Sequence, residues 1–125
     1  MSVLFVRAEH AKDLEAFSKK TFALLNLEAK ETRLSNNWPG GRYVYAEALG
    51  LKIRLSTADD SDFPEYDFMI AFEPQIGWGA ADTRSLDGFA DIVAKHLARH
   101  GMKVARSLDY PKAGSARVEY CDKAR

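Results

Sequence analysis

The sequence predicts an α+β fold with a single, mainly antiparallel twisted sheet of about five to six strands and two packed helices. Runs rich in β-branched and aromatic residues, most clearly 42–57 and 68–72, are typical of strands. Two longer segments, about 10–27 and 84–100, instead repeat apolar residues at the three- and four-residue spacing of amphipathic helices. The element order is therefore β-α-β-β-β-α-β-β. Because neighbouring strands are joined by short loops, we expect them to pair antiparallel.

The N-terminal third supplies a first strand, Ser2–Ala8, and the first helix. One face of that helix carries its apolar side chains at helical spacing: Leu14, Phe17, Thr21, Leu24 and Leu25. Residues 28–41 end in the sequence NNWPGG, whose turn-forming residues predict a long loop into the central strands. Trp38 lies in that loop, either packed under it or exposed to a partner.

The central strands show the clearest pattern. Leu51, Ile53 and Leu55 alternate with polar residues, which predicts a strand with one buried face, and Gly50 is the expected turn before it. The nearly all-apolar run 68–72 is typical of a central strand covered on both faces. Together these runs predict a hairpin with residues 59–67 at its tip.

The C-terminal part supplies the second helix and two more strands. Thr83 or Ser85 is the expected N-cap of the helix, and Gly101 is a good terminator. The buried stripe of this helix is expected to consist of Leu86, Phe89, Ala90, Val93 and Leu97. Strands are predicted at 102–108 and 116–121, joined by the loop 109–114.

Composition limits the classes of function. The 125 residues predict one domain, 1–125, and the formal net charge of zero implies no generic attraction to nucleic acid or to a membrane. Cys121 is the single cysteine, so no internal disulfide can form, and we expect it to be a buried small hydrophobe. The N-terminus lacks the basic region of a signal peptide, and no apolar window has the length of a membrane span. A cytoplasmic protein is the expectation.

The predicted hairpin tip is the main functional candidate, because it carries five carboxylates, Asp59, Asp60, Asp62, Glu65 and Asp67. Clustered carboxylates repel one another unless a cation or a basic partner relieves the repulsion. Phe63 and Tyr66 lie between them and are typical aromatic anchors of a protein interface. A solvated turn is the simpler alternative. A calcium loop is not favoured, because the EF-hand spacing is absent.

The second helix offers a different candidate site. His96 and His100 are four residues apart and face the same side, as two zinc ligands would, but no HExxH spacing and no further ligand accompany them. Phosphate-binding glycine loops and the GxSxG elbow are also absent. We therefore predict no catalytic residue, no metal and no cofactor. The alternative hypothesis is a small ligand- or metal-binding domain or enzyme with a site near Trp78, His96 and His100.

Three segments resemble immunity proteins of contact-dependent growth inhibition systems, which are small bacterial proteins encoded beside polymorphic toxins. These segments are 38–43 (WPGGRY), 47–51 (EALGL) and 58–68 (ADDSDFPEYDF), and the resemblance covers residues 36–74 best. It implies an antitoxin that binds the C-terminal toxin domain of a cognate effector and occludes its active site, with a nuclease among the candidate activities. It implies no catalytic residues, and it transfers no contact residue position by position.

The working hypothesis is therefore a cytoplasmic immunity protein whose partner is a toxin domain, with no direct nucleic-acid or membrane contact. The expected partner-binding residues are those of the acidic tip together with the nearby tryptophan: Trp38, Asp59, Asp60, Asp62, Phe63, Glu65, Tyr66 and Asp67. The carboxylates would meet lysine and arginine side chains in the toxin's substrate groove, in place of phosphates. A homodimer formed through an edge strand is a further alternative.

Overall fold

A computed structural model describes residues 1–28, 31–75 and 83–121, except for the side chains of residues 83 and 84. The strands are β1 (Ser2–Arg7), β2 (Glu31–Leu34), β3 (Arg42–Ala48), β4 (Leu51–Thr57), β5 (Phe68–Pro74), β6 (Lys103–Ser107) and β7 (Arg117–Tyr120), and the helices are α1 (Leu14–Leu25) and α2 (Thr83–Arg99). The predicted α+β fold is confirmed, with one strand more than expected in these residues. Neither of these helices combines the length and apolarity needed to cross a membrane.

All the strands belong to one antiparallel sheet with the order β2-β3-β4-β5-β1-β6-β7. β5 is the central strand, and its residues from Phe68 to Phe72 are all buried, so the prediction of a strand covered on both faces is confirmed. β1 lies between β5 and β6, which are distant from it in sequence. The starts of β5 and β6 lie level with each other, since Phe68 and Val104 both pair with Val6, so the β4–β5 and β6–β7 connections leave the sheet at opposite ends of the strands.

Two boundaries differ from the prediction. Residues 28–41 were expected to form a loop, but 31–34 form the edge strand β2, which pairs with β3. Its sequence, ETRL, is polar and mostly exposed, and so lacks the alternation that marks a half-buried strand. Helix α1 begins at Leu14 and not near residue 10, because the Asp13 carboxylate accepts the Ala16 amide at 2.8 Å and caps the helix.

The end of α2 follows the prediction. Gly101 has a φ of 88°, and the amide of Met102 donates to the carbonyl of Leu97 at 3.3 Å, which is a glycine-terminated helix end. The helix begins at Thr83, so Ser85 lies inside it and is not its cap. The residue before Thr83 lies outside the described part of the chain.

Both helices pack on the same face of the sheet and form the main core with it. Phe17 of α1 stacks on Phe68 of β5 with ring centroids 4.3 Å apart, and Leu97 of α2 is fully buried. The opposite face carries a second, smaller cluster of buried residues from β1, β5, β6 and the β4–β5 connection: Val3, Phe5, Phe63, Tyr66, Met69, Ala71 and Ala105. This second cluster has no helix over it, so a connecting segment must supply its cover.

A polar latch joins α2 to the end of the sheet. The Tyr120 hydroxyl donates to the Asp91 carboxylate at 2.5 Å, and Lys95 pairs with the same carboxylate at 3.0 Å. The hydrogen bond from Tyr120, and then Lys95, hold the pKa of Asp91 below its usual value. The latch fixes β7, the strand that also carries Arg117.

Replacing Tyr120 by phenylalanine is expected to lower the free energy of unfolding by about 1–2 kcal/mol at neutral pH, because an ionised acceptor loses its donor. A lowered pKa of Asp91 means that its stabilisation is present above the pKa of an unfolded aspartate and is lost as the pH falls through the folded pKa. The difference in the free energy of unfolding between wild type and variant, measured in urea, should therefore become smaller at acidic pH. A difference that stays constant from neutral to acidic pH would contradict the latch.

Candidate partner-binding site

The five predicted carboxylates lie in the acidic loop, residues 58–67, which connects β4 to β5. Because β4 pairs with β5, the predicted hairpin is confirmed. Its connection does not project from the sheet, however. The amide of Ala58 donates to the carbonyl of Asp67 at 2.8 Å, and the amide of Asp67 donates to the carbonyl of Val6 in β1 at 3.1 Å. The loop is thereby folded over the sheet face that the helices leave open.

Phe63 and Tyr66 hold the acidic loop on the sheet. Phe63 stacks on Phe5 of β1 with centroids 4.1 Å apart, and the two loop side chains are only 2% and 3% exposed. These rings were expected to be aromatic anchors for a partner. The structure corrects that expectation, since both rings form the second core and neither is presented at the surface. The loop is therefore a packed layer of the protein.

Arg117 of β7 clamps the loop from its other side. Its guanidinium carbon lies 4.2 Å from the centre of the Phe63 ring, in cation–π geometry. One terminal nitrogen donates to the backbone carbonyl of Asp62 at 2.7 Å, and the other lies 3.4 Å from the carboxylate of Glu65. The Arg117 side chain is 16% exposed, so these contacts are largely shielded from water. The clamp fixes the C-terminal half of the acidic loop.

The five carboxylates consequently fall into two groups. Asp62 accepts the amide of Gly114 at 2.8 Å, and Glu65 pairs with Arg117. A hydrogen bond from its own backbone amide lowers the pKa of Glu65, and Arg117 adds to this effect against the cost of desolvation. Asp59, Asp60 and Asp67 have no salt bridge within the described ranges. The first group stabilises the loop, and the second has no cationic partner in these ranges, although the carboxylate of Asp60 also accepts the amide of Asp62 at 2.8 Å.

Trp38 reaches the acidic loop through a tight turn. The 3-10 turn Pro39–Gly41 follows it, and the amide of Gly41 donates to the carbonyl of Trp38 at 2.9 Å. Gly40 has a φ of 76°, and a Cβ atom there would lie 2.9 Å from Oγ1 of Thr57, the last residue of β4. Glycine is therefore required for the turn to lie against the start of the acidic loop.

The turn at Trp38, the acidic loop and the β6–β7 connection border a cleft of about 360 Å³, the Trp38 cleft. Trp38, Asp59 and Asp60 line it, so the structure brings together three of the predicted site residues. Tyr110, from the β6–β7 connection, and Met69 of β5 also line it, together with Met1, Asn37 and Pro39. Asp62, Phe63, Glu65, Tyr66 and Asp67 do not line this cleft.

The chemistry of the Trp38 cleft favours a cation. Burial raises the pKa of Tyr110, and the negative charge of Asp60 raises it further, so this hydroxyl stays neutral. Aromatic faces and carboxylates both attract an ammonium or guanidinium group, and they do so more strongly where water is partly excluded. The cleft can therefore receive a lysine or arginine side chain from another molecule.

Two residues beside the acidic loop had no signal in the sequence. Tyr110 lies in a segment predicted only as a connecting loop, and Arg117 in a short strand. Both meet the acidic loop because the β4–β5 and β6–β7 connections fold over the same face of the sheet, where Asp62 accepts the amide of Gly114. Such a contact between segments about fifty residues apart cannot be read from local patterns. Arg54 of β4 forms a salt bridge with Glu73 of the neighbouring strand β5.

The alternative site on α2 has a pocket of about 460 Å³ that His96 lines, but its histidines are already engaged. The Nε2 atom of His96 lies 2.8 Å from the carbonyl oxygen of Leu24, and Nδ1 of His100 lies 2.9 Å from the carbonyl oxygen of His96. Both imidazoles are thus used in contacts to the backbone. Within the described ranges, no group of three or more metal-ligating side chains exists. Trp78, the third residue of that hypothesis, lies outside these ranges.

Cys121 was expected to be buried, but it is exposed. It follows directly after Tyr120, the last residue of β7 and a buried one, so the strand ends before the cysteine can reach the core. Its exposure alone assigns it no chemistry.

Comparison of the chain with protein-family models, with curated proteins and with solved structures finds no match.

Proposed function

We propose that this chain is a cytoplasmic immunity protein that binds the toxin domain of a cognate contact-dependent inhibition effector and blocks its active site. The observation that carries the proposal is the Trp38 cleft, where Asp59 and Asp60, both without a salt bridge in the described chain, lie beside Trp38 and Tyr110. In this proposal the protein acts by covering another protein and transforms no substrate itself.

The cleft is the proposed point of contact with the toxin. A lysine or arginine that the toxin uses to hold an anionic substrate would enter it, with the two carboxylates in place of the substrate's negative groups. Trp38 would pack against the entering side chain, in the manner of interface residues that contribute most of the binding energy. Asp67, exposed at the end of the acidic loop, would add to the long-range attraction.

The support beneath the cleft favours tight binding. Phe63, Tyr66 and Arg117 hold the loop in one conformation before any partner arrives. Ordering a mobile loop on binding would cost free energy, and a loop that is already packed avoids that cost. The proposal therefore assigns Asp62, Phe63, Glu65 and Tyr66 to the support and keeps Trp38, Asp59, Asp60 and Asp67 for the contact.

Co-expression tests the proposal. The toxin to be tested is the C-terminal domain of any large secreted protein that the reading frame immediately upstream of this chain encodes. We expect its expression to arrest growth, co-expression with this chain to restore growth, and the two proteins to co-purify. Continued arrest in the presence of folded, soluble chain, or a chain that purifies alone, would overturn the proposal.

A further inference from the structure

The strand β2 lies at one edge of the described sheet, so half of its backbone groups face away from the sheet. Directly after it, the amide of Ser35 donates to the carbonyl opposite at 2.9 Å, in register with the β2–β3 pairs. Along an antiparallel pair, the residues that bond the neighbouring strand alternate. The first and third residues of β2 therefore bond to β3, whereas Thr32 and Leu34 direct their amides and carbonyls outward. Another strand can be added at these two positions.

The side chains of β2 do not block such an addition. Proteins commonly protect an exposed sheet edge with proline, a bulge, charged side chains or a covering element. The sequence of β2 is ETRL, without proline, and three of its four residues are exposed. Glu31 and Arg33 are two positions apart, so their opposite charges lie on the same face of the sheet. Whether this edge attracts or repels an incoming strand depends on how that strand's charges meet these two.

The order of the two charges selects one pairing with a second copy of β2. In antiparallel pairing of two identical strands that bond through alternate residues, a two-fold axis passes through one residue and its copy. An axis at Glu31 places two carboxylates opposite each other, and an axis at Arg33 does the same with two guanidinium groups. An axis at Leu34 pairs little of the strand, since β2 ends there. An axis at Thr32 places Glu31 of each copy opposite Arg33 of the other.

With the axis at Thr32, the backbone and the charges both favour pairing. The two Thr32 residues form a hydrogen-bonded pair, in which each amide donates to the other carbonyl. The Glu31–Arg33 pairs take the non-hydrogen-bonded positions, where Cα atoms are only about 4.5 Å apart and side chains interact most closely. Arg33 also contacts Glu31 of its own copy at 2.5 Å, so the four charged groups alternate in sign across the two strands. The formal net charge of the chain is zero, so two copies do not repel each other at long range.

An apolar surface borders this edge on the helix side. Phe22, Leu27 and Val44 line a groove between α1 and the edge of the sheet, and Thr32 lines it as well. A two-fold axis perpendicular to the sheet keeps the helices of both copies on one side, so it brings the two grooves next to each other. The apolar area that becomes buried there adds to the pairing of the strands.

We propose that two copies of this chain form a symmetric dimer through β2, with Thr32 of each copy at the two-fold axis. The two sheets then form one continuous sheet, and both Trp38 clefts lie on its open face. The dimer does not depend on the proposed function, because it uses a different edge of the molecule and its test requires no toxin.

Two charge variants test the register. Arg33→Glu places carboxylates at both positions of β2, and Glu31→Arg places guanidinium groups at both. Sedimentation equilibrium should give a dissociation constant below about 100 μM for the wild-type dimer. Each variant alone should raise this constant at least about tenfold, because two attractive pairs become repulsive. An equimolar mixture of the two variants restores both opposite-charge pairs, so it should form a heterodimer about as tight as the wild-type dimer.

Proline variants test whether the outward backbone groups form the contact. Thr32→Pro removes an amide that does not bond β3, so it should abolish the dimer and keep the fold. The matched control is Glu119→Pro on β7, the opposite edge of the described sheet. The amide of Leu108 donates to the carbonyl of Ala116 at 2.9 Å, in register with the β6–β7 pairs, so the amide of Glu119 also faces outward. Glu119→Pro should keep both the fold and the dimer, and urea unfolding checks the fold of each variant.

A cysteine at the axis gives an independent measurement. In a Cys121→Ser background, Thr32→Cys should form an intermolecular disulfide on mild oxidation, because the Cα atoms of a hydrogen-bonded pair are about 5.5 Å apart. Leu34→Cys should not, since its two copies would lie about 13 Å apart along the strands. The proposal would be overturned by a wild type that stays monomeric at about 1 mM, or by a variant mixture that binds no more tightly than the separate variants. Equal effects of Thr32→Pro and Glu119→Pro on the dimer would also overturn it.

Discussion

Replacing Phe63 by alanine is expected to lower the free energy of unfolding by about 3–5 kcal/mol, the usual cost of removing a fully buried aromatic ring. The ring is 2% exposed and stacks on Phe5 with centroids 4.1 Å apart. The Arg117 guanidinium covers it at 4.2 Å and loses this contact in the variant. Urea unfolding measures this change in free energy. In the variant, hydrogen exchange should be accelerated more for the amides of the acidic loop than for those of β4.

Two variants give the comparison. Leu34→Ala, at an edge-strand leucine that is 86% exposed, should change the stability by less than about 0.5 kcal/mol. Tyr66→Phe keeps a buried ring and removes a hydroxyl without a partner, so it should be neutral or stabilising. If Phe63→Ala cost no more than Leu34→Ala, the acidic loop would not be packed on the sheet in solution.

The fold was largely predictable because the pattern of apolar residues in each central strand indicates which of its faces are buried. Leu51, Ile53 and Leu55 alternate with polar residues, and the structure buries all three of them on the helix side of the sheet. The unbroken apolar run of β5 marks a strand covered on both faces. The edge strand β2 has no such apolar pattern, because one of its edges faces solvent and its side chains are mostly exposed.

The candidate site was predictable only in part. The local sequence identifies an acidic segment with interleaved aromatic residues. It does not distinguish an aromatic side chain at the surface from one buried in the core. Phe63 points into the protein because it stacks on Phe5 of β1 and lies under the guanidinium of Arg117 of β7. Both contacts depend on the strand order. For the same reason the sequence could not rank the five carboxylates, whose roles depend on Arg117 and Gly114.

This division of the carboxylates changes which substitutions test the interface. Reversing the charge of Asp62 or Glu65 would disturb the contacts to Gly114 and Arg117, so any loss of binding would be confounded with loss of structure. Asp59 is exposed and lines the cleft. Asp60 also lines it, but its carboxylate accepts the amide of Asp62 at 2.8 Å. Asparagine at position 60 removes the charge and keeps an oxygen acceptor for that amide.

The double variant Asp59→Lys/Asp60→Asn is therefore expected to raise the dissociation constant of the toxin complex at least about 30-fold. This change corresponds to about 2 kcal/mol, the lower end of what is lost when one side of a buried charge pair is removed. Binding should also become less sensitive to salt, because fewer charges attract the partner. Calorimetry at several salt concentrations measures both quantities, and urea unfolding should show that the variant keeps its stability.

The matched control changes the net charge by the same amount elsewhere. Glu9 and Glu28 are exposed, lie outside the acidic loop and form no salt bridge within the described residues. Glu9→Lys/Glu28→Gln therefore raises the net charge by three, as the test variant does. If both double variants weakened binding equally, the loss would come from net charge alone. If neither changed the affinity while the toxin complex still formed, the protein would bind its partner through another surface. Only a loss confined to the cleft variant places the contact at Asp59 and Asp60, because the two proteins then differ in where the charge lies and not in how much there is.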